Sequence, residues 1–105
     1  MNSKDKKDIR NLSYHLIDRG RITTSVSKAK ELRKGVERLI TRAKKDTLAN
    51  RRYVAKKIPA KGVKKLFEEI GPANRERNGG YTRILRLEPR QGDAREMCIL
   101  EIIDV

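Results

Sequence analysis

Few residues in this sequence could do acid-base or nucleophilic chemistry, and they stand apart: one histidine (His15), one cysteine (Cys98) and one adjacent carboxylate pair, Glu68 and Glu69. A nucleophile needs a base within hydrogen-bond reach. His15 has no motif around it, and the spacing makes it a half-exposed helix residue. Cys98 sits in the apolar run "MCILEII", without the basic neighbours that activate a thiol, which predicts a buried structural thiol in a reducing compartment. One cysteine and one histidine cannot supply a standard zinc site. Adjacent carboxylates on a helix point in different directions and do not converge as an acid/base pair. Neither an enzyme nor a metal or cofactor protein is expected.

Neutralisation of phosphate is far better supplied. The chain carries 27 Lys and Arg against 14 Asp and Glu, a net charge of +13 at pH 7. Such an excess repels itself unless a polyanion neutralises it. Residues 1–58 hold 18 Lys and Arg against 6 Asp and Glu, a net of +12, whereas residues 59–105 hold 9 against 8, a net of +1. The anion-facing surface is therefore expected in the first half. No run approaches the roughly 18 apolar residues of a membrane span. The opening "MNSKDKKDIR" lacks the apolar core of a signal peptide. A soluble chain of 105 residues is expected, forming one domain with no membrane partner.

Two stretches concentrate this chemistry. "AKKDTLANRR" sets an expected helix start between Lys44–Lys45 and Arg51–Arg52, so that amides, helix dipole and guanidinium groups could face one phosphate strand. "RNGGYTRILR" is neither a Walker loop nor a dinucleotide fingerprint. Gly79 and Gly80 supply unusual backbone angles entering a hairpin with Tyr81 at its edge, or they let backbone approach phosphate while Arg75, Arg77, Arg83 and Arg86 neutralise it and Tyr81 stacks on a sugar or base. Both can hold together. Aromatic residues make up only 4% of the chain and are scattered, which argues against a stacking sheet for single strands. No homeodomain, zinc-finger or zipper pattern is present, and a helix-turn-helix would leave the final hairpin unexplained. Shape and phosphate recognition of folded RNA fits better than DNA readout.

The elements that must position these groups follow from periodicity. Ile9, Leu12, Leu16 and Ile17 recur at helical spacing behind Asn2 or Ser3, and Gly20 offers a stop. "RITTS" suits a short strand. Ser25 or Ser27 can cap a long helix whose stripe is Leu32, Val36, Leu39, Ile40 and Ala43. Asp46 or Thr47 can cap a third helix running to Pro59. A fourth, from Lys61, places Val63, Leu66, Phe67 and Ile70 on one face and ends at Gly71–Pro72. "YTRILRLEP" and "MCILEIIDV" are strands of a hairpin turning through "RQGDARE", where Gly92 and Asp93 supply turn chemistry. The order predicts an α+β domain, helix, strand, three helices and two strands, with a small sheet covered by helices. "MCILEII" is apolar enough to be central and buried on both faces, with the first strand beside it.

Read in order, "GRITTSVSKAKELRKGVERLITRAKKDTLANRR", "KKLFEEIGPANRERNGGYTRILRL" and "GDAREMCILEI" resemble the family of the seventeenth protein of the bacterial large ribosomal subunit, from about Arg10 to the C-terminus. "TTSVSKAKELR" and "GGYTRI" are the most specific pieces. The resemblance implies a three-stranded mixed sheet, binding to large-subunit ribosomal RNA, neighbouring ribosomal proteins as partners, and a cytoplasmic or organellar location in the subunit near the exit of the peptide tunnel. Carried onto this chain, Lys28, Lys30 and Arg33 match the "KAKELR" segment, Arg51 and Arg52 the paired arginines, and Gly79, Gly80, Tyr81, Thr82 and Arg83 the Gly-Gly-Tyr-Thr-Arg motif. With Arg19, Arg21, Arg42, Lys44, Lys45, Arg75, Arg77 and Arg86 these are the candidates for touching RNA or shaping the surface that does.

The sequence departs from the family pattern in three places. The basic, histidine- and arginine-rich arm that usually precedes the first helix is expected to be absent. Ser27 stands where proline is common, and Arg95 with Glu96 replace a small, proline-containing turn. A structural constituent of the large subunit is expected, with no small-molecule substrate; a free-standing nucleoid or DNA-binding protein is the alternative.

Overall fold

The structure, a computed structural model, describes residues 3–88 and 96–103, with side chains from Ile9 onward. Helix α1 (Ser3–Arg19) stops at Gly20, whose N–H donates to Leu16 O at 2.7 Å, and strand β1 (Arg21–Ser25) follows directly. Ser25 caps helix α2 (Val26–Ala43), its side chain accepting from Lys28 N at 3.3 Å. Thr47, not Asp46, caps helix α3 (Leu48–Ala55), accepting from Asn50 N at 3.1 Å. Pro59 opens helix α4 (Ala60–Lys65), and strands β2 (Thr82–Arg86) and β3 (Met97–Ile102) complete the fold. The expected turn through Gly92 and Asp93 lies outside the described residues.

The predicted stop at Gly71–Pro72 does not occur. A π-helical turn, Leu66–Ile70, continues α4 and passes into a short helix α5, Gly71–Ala73. Gly71 N–H donates to Leu66 O, five residues back, and Pro72, which has no N–H, follows in the widened turn. Gly71 is helical and buried against α2: a Cβ there would lie 2.2 Å from the Ala43 carbonyl oxygen. Its glycine serves a close helix crossing rather than a helix end. The extra residue in the turn keeps Leu66, Phe67, Ile70 and Gly71 all buried.

The α+β order holds, but the sheet is antiparallel throughout rather than mixed. Its order is β1–β3–β2, with Thr24 opposite Cys98 and Ile84 opposite Leu100. β1 and β2 run the same way, yet β3 lies between them reversed, so no parallel pair forms. β3 is central as expected but not buried on both faces. Cys98, Leu100 and Ile102 are buried, while Met97, Ile99 and Glu101 on the other face are half-exposed.

Helix α2 packs against all three strands, and α1 against β1 and β3, closing one core. The stripe Leu32, Val36, Leu39, Ile40 and Ala43 is buried as its spacing requires. Each large apolar side chain so buried contributes about 1.5–3 kcal/mol of transfer free energy. The opposite side of α2 is thereby left free for cations.

Candidate nucleic-acid interface

The phase that buries the α2 stripe turns Lys28, Lys30, Arg33, Lys34, Arg38 and Arg42 to solvent. Along this helix the predicted basic face exists. Arg33 Nε lies 3.7 Å from Glu37 Oε1, and Arg42 lies over the Tyr53 ring at 4.5 Å while donating to Asn50 Oδ1 at 3.4 Å. α3 therefore docks beside the face and orients one of its guanidinium groups.

Lys44, at the end of the same helix, has a different role. Half-buried, it donates to Arg77 O at 2.5 Å and to the Tyr81 hydroxyl at 2.9 Å, tying α2 to the loop before β2. Tyr81 is 3% exposed, so of the two roles the sequence left open its ring takes the packing one and cannot stack on a base. Its side chain sits at the sheet-to-helix junction, reached by Lys44 and by the Thr41 hydroxyl at 3.5 Å. The hydrogen bond from Lys44 favours the phenolate and holds the Tyr81 pKa below its ordinary value, Thr41 adding to the effect. Thr82 is also buried; its N–H and hydroxyl both donate to Glu37 Oε1, at 3.3 and 2.9 Å, and Tyr81 N donates to Glu37 Oε2 at 3.2 Å.

Gly79 (φ 135°) and Gly80 (φ 65°) occupy backbone conformations that L side chains rarely adopt, and no atom stands within 4 Å of a Cβ built on either. Backbone angle, not crowding within the protein, sets glycine at both places. The two are exposed beside Arg75, also exposed, and Arg77, half-buried. The "GGYT" segment is thus an exposed glycine turn whose next two residues are bolted to α2.

The α3 start is less open to anions than expected. Thr47 occupies an amide of the first turn, and Asp46 forms a two-point ion pair with Arg51, Nε to Oδ1 at 2.6 Å and Nη2 to Oδ2 at 2.8 Å. That hydrogen bonding holds the Asp46 carboxyl below its usual range and pushes the guanidinium pKa up. Arg51 also lies over Phe67 at 4.9 Å. With Lys44 turned inward and Arg51 committed to Asp46, Lys45 and Arg52 remain the exposed members of the two basic pairs.

The remaining candidates do not gather on the α2 face. Arg83 pairs with Glu101 across the sheet, and Arg86 Nη1 lies 3.5 Å from Glu96 Oε2. Arg19 and Arg21 flank the α1–β1 corner, both exposed. Sequence reasoning also missed residues. Glu37 carries the only signal available, its i,i+4 spacing from Arg33. Arg10 from α1, Arg38 from α2, and Lys56 and Lys57 after α3 line one shared groove, which no local pattern announces. Cys98 is fully buried, and burial pushes its thiol pKa up, the behaviour of an inert structural thiol. Among the described residues no group of three or more His, Cys, Asp or Glu could hold a metal ion, and no helix is long and apolar enough to cross a membrane.

The family model described as Ribosomal protein L17 matches residues 8–103. The chain is 49% identical to the large ribosomal subunit protein bL17 of Mycoplasmopsis pulmonis, over 93% of this chain and 88% of that protein. It is 52% identical to the protein of the same name from Finegoldia magna, over 91% of this chain and 74% of the relative. For that of Treponema pallidum (strain Nichols) the values are 54% identity, 90% and 58%.

Proposed function

The chain belongs to the ribosomal protein L17 family, and from that premise we propose that it is a structural constituent of the large ribosomal subunit, binding ribosomal RNA by phosphate neutralisation and shape fit. The observation that carries this reading is the division of labour on α2. One side of the helix is buried core, while the other presents Lys30, Lys34 and Arg38 to solvent with no ion pair among the described residues. Unpaired cations held on a rigid helix can replace counterions along a phosphate backbone without further ordering. The exposed Gly79–Gly80 turn, fixed by Glu37 and Lys44, supplies backbone that a phosphate can approach.

Its partners on this account are large-subunit ribosomal RNA and neighbouring ribosomal proteins, in the cytoplasm or an organelle with the subunit. A position near the exit of the peptide tunnel rests on the family resemblance alone. Competition binding tests the RNA preference: protein-free large-subunit ribosomal RNA is expected to displace the protein from duplex DNA at moderate salt. Retention on duplex DNA against excess ribosomal RNA would instead favour a nucleoid role.

A further inference from the structure

Between α1, α2 and the end of α3 lies an open groove of about 530 Å³. That is within the range of about 300–1,000 Å³ seen in small-ligand sites. Its floor is apolar, with Leu39 and Ile58 buried and Tyr53 half-buried, and its rim carries Arg10, Arg38, Lys56 and Lys57. Among the described residues none of these four cations makes an ion pair. Arg51 pairs with Asp46 and Arg83 with Glu101, whereas the rim gathers four cations without such a partner, among the described residues, around one apolar floor. One carboxylate, Glu31, also lines the groove.

Gly35 forms part of the same wall. It lies in the interior of α2, where glycine is less favourable than alanine, and it does not have positive φ. No atom stands within 4 Å of a Cβ placed there, so nothing inside the protein requires glycine. The missing side chain leaves the groove open to an outside group.

We infer that this groove receives one unpaired nucleotide of the bound RNA, its base seated over Gly35 against Tyr53 and its phosphates on the Arg38 and Lys57 side of the rim. An apolar floor takes the base, and unneutralised cations take the adjoining phosphates; an uncharged apolar ligand would leave those cations without a role. Lys57 Nζ lies over the Tyr53 ring, 5.7 Å from its centroid, so the entering base displaces the lysine from the ring to the phosphate beside it. An unpaired base splayed from its strand and set against an aromatic side chain is the usual way in which proteins read single-stranded RNA. The inference rests on the RNA-binding reading above and names the mode of contact.

The test uses the full chain and protein-free bacterial large-subunit ribosomal RNA. Gly35→Leu fills the groove without changing charge, and thermal melting is expected to show an unchanged or higher Tm, since a helix former enters open space. Along a salt series, Kd should rise about tenfold in this variant, with the slope against salt lowered by about one unit as the displaced nucleotide's phosphate leaves the rim. Ultraviolet cross-linking should join Tyr53 to a nucleotide in the wild-type protein and not in Gly35→Leu. Unchanged Kd in a folded Gly35→Leu protein overturns the inference, as does a poly-glutamate peptide that blocks modification of Tyr53 while ribosomal RNA stays bound, which would make the groove a protein site. Should Gly35→Leu unfold, Lys57→Glu at the exposed rim decides by the same cross-link: its loss supports the inference and its retention overturns it. A wild-type protein that fails to bind ribosomal RNA removes the RNA-binding reading itself, whereas wild-type binding with an unaffected variant removes the groove alone.

Discussion

Glu37 Oε1 accepts hydrogen bonds from both the backbone N–H and the hydroxyl of Thr82, at 3.3 and 2.9 Å. A carboxylate on α2 is thus engaged in holding the first residue of β2, and the same group accepts Tyr81 N. A hydrogen bond to a charged group contributes about 1.5–3 kcal/mol net, and the three to half-buried Glu37 do not add, because water replaces part of what its removal leaves open. Glu37→Ala is expected to lower stability by about 2 kcal/mol, measured by chemical denaturation, with Glu37→Gln milder. A change within experimental error would mean that the Gly79–Gly80 turn is held by other contacts.

Lys44 and Tyr81 give a pH signature. The folded Tyr81 pKa lies below its ordinary value of 10.0, mainly through the hydrogen bond from Lys44. Unfolded protein then binds more protons than folded protein between the two pKa values, so this group's contribution to stability rises with pH through that window. It is fully present above the unfolded value and lost as pH falls through the folded one. Tyrosinate absorbance should show one tyrosine titrating early, and Lys44→Met should move it upward. A titration unaltered by Lys44→Met would remove the lysine as the cause.

Gly71→Ala should destabilise the protein although alanine is the better helix former. The added methyl would meet the Ala43 carbonyl oxygen at 2.2 Å and its carbon at 2.8 Å, backbone that cannot rotate away. Forcing α2 and α5 apart is expected to cost about 3 kcal/mol, read from the denaturation midpoint. A neutral or stabilising substitution would show that the two helices have room to separate.

Arg51 and Arg52 are adjacent in sequence and should behave differently. Arg52→Ala is expected to reduce the slope of log RNA affinity against log salt by about one unit, because an exposed cation is removed from the phosphate contacts. Arg51→Ala should act first on thermal stability, through loss of the Asp46 pair and the Phe67 contact, with a smaller change in slope. Equal slopes for the two variants would contradict this separation.

The parts of the fold that were legible in the sequence are those governed by local rules. The Ser25 and Thr47 caps, the stop at Gly20, and the α2 stripe each depend on residues close in sequence, on a single helix or at its ends. The antiparallel register and the π-turn were not legible, because strand direction depends on the whole chain path and the Gly71 crossing on a carbonyl 28 residues away. For the interface, residue type announced the cations but not which of them would be engaged internally. Lys44, Arg51 and Arg83 match the basic pattern as well as Lys45 and Arg52 do, and only packing shows that the first three have partners inside the protein. Tyr81 stayed open between two roles for the same reason: an aromatic beside two glycines suits a stacking loop and a buried anchor equally well.

The most direct measurement of the central claim is sedimentation of a cell lysate through a sucrose gradient, with and without a high-salt wash, each fraction probed for this protein. Co-migration with large ribosomal subunits is expected before and after the wash, because shape fit and many contacts made together retain the protein in the assembled subunit even as salt weakens each phosphate contact. Protein at the top of the gradient, or spread with DNA, would contradict it.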